Sequence, residues 1–463
     1  MAYKRGQEVF RDPKPFIYVV NPQYCKIVCD CCLKLCENEG ILKACAICKW
    51  VHYCDQTCQK DAWKSHHKLE CKYLQMLNNT KELKELFGGS FQEVLLQLLK
   101  TTLKLKNKGH EEFFQLPDGK KRHFTDLVSN ADELRERKAQ KNELEVYHLI
   151  FDIFKSWLGD DAIPTFTEMF QIIGKWQTNG TSITAKKLDE PSDRIAAGLY
   201  LGYSGLDHSC APNAVWFNVG KEMVVRTIED VNNFSEIRIF YFNTSRAHQK
   251  TSERKEYLKQ GYFFDCTCER CEDPNSDAKY ASLKCKHCPG WVHEKTMICS
   301  SCHQTLKLND EEMIIVEKYR NGTLPKFEPT MTTKEIRLIL EKLIKVFHVF
   351  HEIFTPLNKV FEFPKIVSKY QNGDHETMLL ILEIRKLRLN HNYGHLPQYR
   401  QDFGFHHFKI SCNCFDLGLI DEAEFHLKKA EEIMKVAYGE EHPYVKECQK
   451  HKVERQIACL SLK

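Results

Sequence analysis

The chain has 463 residues, 42 % of them hydrophobic and 28 % charged, which excludes a disordered or fibrous protein and points to about two to four globular domains. The formal net charge of +4 is small for this length, so acidic and basic residues nearly balance and direct DNA binding is not expected. No apolar stretch approaches the roughly 20 residues of a membrane span, and Met1-Ala2-Tyr3-Lys4-Arg5 leads into no signal-peptide-like apolar run.

In chain order, residues 1–24 read as strand and turn, with Glu8-Val9-Phe10 and then Phe16 to Val20 as the extended segments. Next comes a dense cysteine zone. Of the 22 cysteines in the chain, many fall between 25 and 71 and between 266 and 302, in repeated Cys-x-x-Cys pairs. Without a signal sequence, that pattern favours zinc in a reducing compartment over disulfides. Residues 25–71 form the first metal module. Cys29 and Cys32, Cys45 and Cys48, Cys54 and Cys58, and His67 and Cys71 supply enough thiolate and imidazole for two tetrahedral Zn²⁺ sites. The pairs Cys54/Cys58 and His67/Cys71 are spaced i, i+4, so each can grip one ion from one helix face. So short a segment cannot fold on an apolar core, and the metal is expected to supply its folding energy.

Residues 72 to about 185 read as mostly helical, with apolar spacing at Leu83, Leu86, Phe87, Phe91, Leu95, Leu98 and Leu99. The charged run Asp132 to Glu145 reads as a solvated helix face. From Ala196 the period changes. Ala214 to Asn218 and Met223 to Thr227 flank Val219-Gly220-Lys221-Glu222 as a hairpin, and Ile237 to Phe242 reads as a further strand. Cys266-x-Cys268-x2-Cys271 offers three zinc ligands, and Cys210 is the candidate for the fourth. Cys285-x2-Cys288 and Cys299-x2-Cys302 read as a zinc ribbon. Two ions in the first module, one at Cys266 and one in the ribbon make about four zincs per chain.

Pro325 and Pro329 suggest a boundary, after which the chain is helical. Thr332 and Glu335 have capping-box spacing. Ile336, Leu340, Leu343, Phe347 and Phe350 make one apolar stripe. Ile420 to Gly439 carries Ala423, Leu427, Ala430 and Met434 at helical spacing and ends in a glycine cap. Gly418, Ala423 and Ala430 loosely resemble a tetratricopeptide helix pair; a plain bundle of core helices fits equally.

Several motifs carry a resemblance to a known family. The first module, with Gln59-Lys60 and Trp63 beside its last pairs, resembles a MYND zinc finger. Gly205-Leu206-Asp207-His208-Ser209-Cys210-Ala211-Pro212-Asn213 is similar to the Asn-His-Ser-Cys-x-Pro-Asn motif of SET methyltransferases. Ile237 to Asn243 is similar to their tyrosine strand, and Tyr262-Phe263-Phe264-Asp265-Cys266 onward to their post-SET zinc loop. In this order, the chain resembles the SET-and-MYND protein-lysine methyltransferase family over essentially its whole length.

The resemblance implies an α+β fold: a split SET β-fold with an inserted MYND finger, a post-SET zinc loop, a ribbon and a TPR-like helical C-terminal domain. The implied segments are 1–24 (first part of SET), 25–71 (MYND), 72–185 (helical insert), 186–250 (SET core), 251–275 (post-SET), 276–325 (ribbon) and 326–463 (C-terminal helices). It implies interleaved zinc sites, Cys29, Cys32, Cys54 and Cys58 in one and Cys45, Cys48, His67 and Cys71 in the other. Counting from Cys58 or Trp63 favours His66 as a ligand, whereas counting back from Cys71 favours His67, so the segment holds one extra residue. Cys25, Cys31 and Cys36 are left over, with Cys31 an alternative to Cys32.

For the reaction, it implies S-adenosylmethionine as methyl donor and a lysine of histone (H3 in particular) or another protein as acceptor. Tyr241 would sit where the methyl passes, Tyr262 would line the lysine channel, and Phe264 would stack on the adenine. Asp207, His208, Asn213 and Asn179 would lie at the cofactor. Implied partners are proline-rich peptides at the MYND finger. The chain would act as a monomer in nucleus and cytoplasm, in chromatin and transcription regulation. Two departures stand out: the family's Gly-x-Gly turn is not found before Gly6, and Asp207 replaces the motif's Asn. Ionised Asp only accepts hydrogen bonds, though a carboxylate near the cofactor's amino group could help hold it. These departures favour the alternative of a non-catalytic adaptor recruiting transcriptional partners.

Overall fold

The computed structural model describes residues 2–36, 39–78, 81–159, 163–185, 193–242, 246–247 and 249–461, without the side chains of 81–90, 193 and 455–461. Met1, Asn243 and the side chains of Leu83, Leu86 and Phe87 therefore lie outside the described residues.

The first twenty residues complete sheets whose other strands come from beyond residue 179. Strand Glu8–Asp12 pairs antiparallel with Glu222–Thr227, which pairs in turn with Ala214–Val219. The hairpin between the last two is closed by Gly220-Lys221, with Gly220 at φ +59°, the left-handed conformation that favours glycine. Strand Ile17–Val20 pairs with Asp193–Leu199, which pairs with Gly180–Ala185. Val9, Phe10, Val20, Ile183, Ile195, Met223 and Val225 meet in the core between these sheets. A third, parallel pair joins Asp207–His208 to Arg238–Ile239.

Ile237 to Phe242 was expected to be a strand throughout, but only Arg238–Ile239 is paired. The reason lies in a side chain: the Tyr241 backbone N–H donates to His208 Nδ1 at 3.1 Å, which takes the place of the next ladder partner. Phe240 and Phe242 then turn into a buried aromatic cluster with His208.

Everything from the finger to Asn179 is inserted between those strands. Helix Lys81–Lys106 presents Phe91, Leu95, Leu98 and Leu99 to a core shared with the finger, Ile150, Phe154 and Phe170. The segment is not wholly helical: a ribbon pairs Phe113–Gln115 with Lys121–His123, and Gly180–Ala185 belongs to the sheet above. The Asp132 to Glu145 run is broken into helices Ala131–Gln140 and Leu144–Leu158, because Asn142 adopts φ +54° between them.

The C-terminal third is helical. Thr332 and Glu335 form the expected capping box of helix Thr333–Val346, and Ile336, Leu340, Leu343 and Phe347 are buried along it. Phe350 lies beyond the end of that helix, since Phe347 is already extended at the cap. Helix Ile420–Tyr438 buries Ala423, Leu427, Ala430 and Met434 and ends at Gly439 with φ +91°. It packs on helix Gln401–Asp416 and reaches the first sheet, where Phe217 and Tyr438 rings lie 4.8 Å apart. Among the described residues no helix is long and apolar enough to cross a membrane.

Candidate metal centres and active-site cleft

Four groups of ligand atoms converge, each within 4.8 Å: Cys29, Cys32, Cys54 and Cys58; Cys45, Cys48, His67 and Cys71; Cys210, Cys266, Cys268 and Cys271; Cys285, Cys288, Cys299 and Cys302. Tetrahedral zinc, with Zn–S near 2.3 Å, would place neighbouring sulfurs about 3.8 Å apart. The Sγ separations agree: 3.7 Å for Cys32–Cys54, 3.8 Å for Cys45–Cys71, 3.5 Å for Cys210–Cys271, 3.6 Å for Cys285–Cys302 and 3.5 Å for Cys288–Cys299. All-thiolate and thiolate–imidazole sets of this size fit zinc in all four places.

The competing histidines are separated by their surroundings. His67 Nε2 lies 3.3 Å from Cys45 Sγ and 3.8 Å from Cys48 Sγ. His66 turns away, with Nε2 3.1 Å from Asp30 Oδ2 and Nδ1 2.8 Å from Ser65 Oγ. Residues Trp63–His67 form a π-helical turn. Such a turn absorbs one additional residue within a helix. That explains why counts from either side name different histidines. Cys32, not Cys31, completes its set; Cys31 is buried beside it.

The finger is fused to the helical insert by buried charge. Lys100 Nζ lies 3.1 Å from Glu70 Oε2 and 3.6 Å from Asp30 Oδ1, and all three side chains are almost fully enclosed. Burial opposes ionisation of Asp30, but Lys100 and His66 outweigh it and hold the carboxyl down at about 2.

The third metal group joins two walls of a cleft. Cys210 follows Asp207 and His208, while Cys266 follows Tyr262 and Phe264. Four thiolates on one Zn²⁺ leave an excess of negative charge. Arg254, fully buried with Nη2 3.5 Å from Cys271 Sγ, answers it, and Arg270 Nη1 donates to Cys210 O at 3.2 Å.

The cleft itself has a volume of about 960 Å³, and Asn179, Asp207, His208, Tyr241, Tyr262 and Phe264 all line it. Tyr241 OH donates to Leu206 O at 2.6 Å and Tyr262 OH to Tyr241 O at 2.8 Å, with the two rings 5.0 Å apart. Burial, then nearby Asp207, raises the Tyr241 phenol above its usual range, and burial does the same for Tyr262. Both therefore act as neutral hydrogen-bond donors. Burial lowers His208 to about 4, so its ring is neutral. Because Nδ1 accepts from Tyr241 N–H, the proton sits on Nε2, 3.3 Å from Cys210 Sγ. His208 thus ties the tyrosine segment to the metal group, and both its ring nitrogens are engaged.

Asn179 is likewise engaged, with its amide donating to Val128 O at 2.8 Å and Lys175 O at 2.9 Å. Asn213 lies outside the cleft lining, where it bridges Glu236 O and Arg238 N, both at 2.8 Å. Asp207 is exposed, and its nearest cation is Arg238 at 4.0 Å.

The sequence reading missed Tyr203, Trp216, Phe263 and Arg122, which also line the cleft. Tyr203 and Trp216 pack edge to face at 5.2 Å. Phe263 adopts φ +63° under Arg137; its place between two assigned aromatics was the available signal. Arg122 had none, because it reaches the site from a ribbon far away in sequence.

Residues 29–71 match the MYND finger family model. Histone-lysine N-methyltransferase ASHR1 of Arabidopsis thaliana is 27 % identical over 96 % of this chain and 89 % of its own length. N-lysine methyltransferase SMYD2-A of Danio rerio is 23 % identical over 98 % of this chain and 94 % of its own. A SET and MYND domain-containing protein of Dictyostelium discoideum is 29 % identical over 63 % of this chain and 53 % of its own. Over nearly all of its length, and not in the finger alone, the chain is similar to SET and MYND domain proteins.

Proposed function

We propose that this SET–MYND protein is a protein-lysine N-methyltransferase using S-adenosylmethionine, and that the 960 Å³ cleft is its active site. The observation that carries the reading is convergence: residues from separate segments, Asn179, Asp207–His208, Tyr241 and Tyr262–Phe264, meet in one hollow. The two small sheets and the parallel pair serve as the split SET core, and the C-terminal helices as a TPR-like domain. Names of full-length relatives support lysine as the acceptor. We take the acceptor protein to be a histone, H3 in particular, or another lysine-bearing protein, with proline-rich peptides as partners for the finger.

The bound cofactor supplies a methyl group on a cationic sulfonium. This chain's residues supply position and dryness. The Tyr241 hydroxyl is fixed by Leu206 O and the Tyr262 hydroxyl by Tyr241 O, so the aromatic walls hold a narrow path for a lysine side chain. With both phenols protonated and His208 neutral but fully bonded, none of these three is a free base. Loss of water around the entering amine is what favours its neutral, nucleophilic form. Phe264, 6.2 Å from the His208 ring, offers a flat apolar face for the adenine.

The test is transfer of a labelled methyl group from S-adenosylmethionine to histone H3 and to a panel of non-histone proteins by the zinc-loaded chain. Incorporation on lysine that is lost in Tyr241→Phe supports the proposal; no incorporation on any acceptor counts against it.

A further inference from the structure

A second hollow, of about 300 Å³, lies where the first sheet meets the C-terminal helices. It shares Thr184, Trp216 and Phe242 with the cleft, so the two hollows adjoin. Its far side is aromatic. Phe217 comes from strand Ala214–Val219, Phe405 from helix Gln401–Asp416 and Tyr438 from the end of helix Ile420–Tyr438. His442 follows in the connecting turn, and Tyr444 belongs to the first turn of helix Pro443–Ser461. The rings are set at angles to one another. Phe217 stands at 62° to Tyr438 and 86° to His442, with centroids 4.8 and 5.1 Å apart, and Phe405 crosses Tyr444 at 74° and 5.3 Å. Rings crossed in this way touch by their edges and leave π faces toward the space they line.

Charge in the hollow is balanced. The ionised residues of its lining are Arg400 and Asp402, and they pair, Nη2 to Oδ2 at 2.7 Å. The Arg400 guanidinium also lies 4.5 Å from the centroid of the Phe240 ring. Only 5 % of the Arg400 side chain is exposed, so an entering anion would meet ring faces and Asp402 rather than the guanidinium. Burial pushes the Tyr438 and Tyr444 phenols up and His442 down to about 4, so all three are neutral. Asp402 Oδ1 accepts no hydrogen bond among the described residues. Ring faces and a free carboxylate oxygen both attract a cation. A bare lysine ammonium would give up its water for π faces and leave N–H groups unmet. A methylated ammonium carries the same charge with fewer or no N–H groups to satisfy.

We propose that this hollow is an aromatic cage that binds a methylated lysine side chain, so that the protein reads the modification beside the cleft that makes it. The preference for a methylated ammonium stands on the rings alone. Lysine as its bearer rests on the methyltransferase reading and on the wall of Thr184, Trp216 and Phe242 that the hollow shares with the cleft.

The test is ligand-observed NMR titration of the full zinc-loaded chain with four probes. These are the acetylated, amidated form of trimethyl-lysine, its unmethylated counterpart, its neutral isostere with a tert-butyl group in place of the trimethylammonium, and choline. The trimethylated probe is expected to bind about tenfold more tightly than the unmethylated and the neutral ones, and at least as tightly as choline. Phe405→Leu and Tyr444→Leu should each weaken it about 3- to 10-fold. Zinc content and thermal midpoint check that the variants are folded. Equal binding of the charged probe and its neutral isostere by the wild-type chain overturns the cage without recourse to any variant. Binding of the trimethylated probe that both folded variants retain in full also overturns it, because the probe then sits elsewhere. Tighter binding of choline overturns lysine as the bearer. Failure of the wild-type chain to bind the trimethylated probe overturns the cage and leaves labelled-methyl transfer as the separate test of the cleft.

Discussion

Replacing His67 and His66 one at a time separates a metal ligand from its neighbour. His67 Nε2 sits in the Cys45–Cys48–Cys71 group, 3.3 and 3.8 Å from two of the sulfurs. His66 Nε2 instead lies 3.1 Å from Asp30 Oδ2. His67→Ala leaves a three-thiolate site in a module whose folding depends on zinc, a site type worth about 10–16 kcal/mol in small zinc domains. Loss of one ligand should bring bound zinc from about four to about three per chain. His66→Ala removes one hydrogen-bonded contact to a buried carboxylate, a cost of about 1.5–3 kcal/mol, with all ligands retained. Zinc content by mass spectrometry, before and after a competing chelator, is the assay. Should His66→Ala release the zinc while His67→Ala keeps it, the π-turn account of the register is wrong.

Other perturbations have equally defined outcomes. Lys100→Met leaves Glu70 and Asp30 buried without their cation and should cost about 3–5 kcal/mol, read by chemical denaturation; Lys100→Met with Glu70→Gln should recover part of that loss, and no recovery would refute the network. Cys266→Ser should remove the third zinc and with it cofactor binding, because that ion joins the Tyr262–Phe264 wall to Cys210; cofactor binding that survives zinc loss would refute the coupling. Burial holds His351 at about 3, His391 at about 4 and His407 at about 3, all below the ordinary 6.5. The unfolded chain therefore binds more protons below pH 6.5, so stability present above 6.5 is lost as pH falls toward 4. The thermal midpoint should drop steadily from pH 6.5 to pH 4.5; a flat profile would contradict this.

The metal ligands were legible in the sequence because thiolate spacing is a local constraint: Cys285-x2-Cys288 with Cys299-x2-Cys302 needs little context to be read. The Ala214 to Thr227 hairpin and the cap at Thr332 were legible for the same reason, since turn and cap chemistry are local. Less accessible were features decided across the fold. His66 and His67 could be told apart only once Asp30 and the π-turn were in view. The strand at Ile237 ended early because His208, from another segment, took the Tyr241 N–H. Asn179 and His208 line the cleft, but their polar atoms are committed to Val128 O, Lys175 O, Tyr241 N and Cys210 Sγ. Arg122 carries no local mark of its place in the site.

The most direct test of the central claim is calorimetric titration of S-adenosylmethionine into the zinc-loaded chain, beside Phe264→Ala. The account predicts saturable binding near micromolar strength, weakened at least about tenfold when the aromatic face is removed. Absence of binding by the folded, zinc-replete wild-type chain would contradict it.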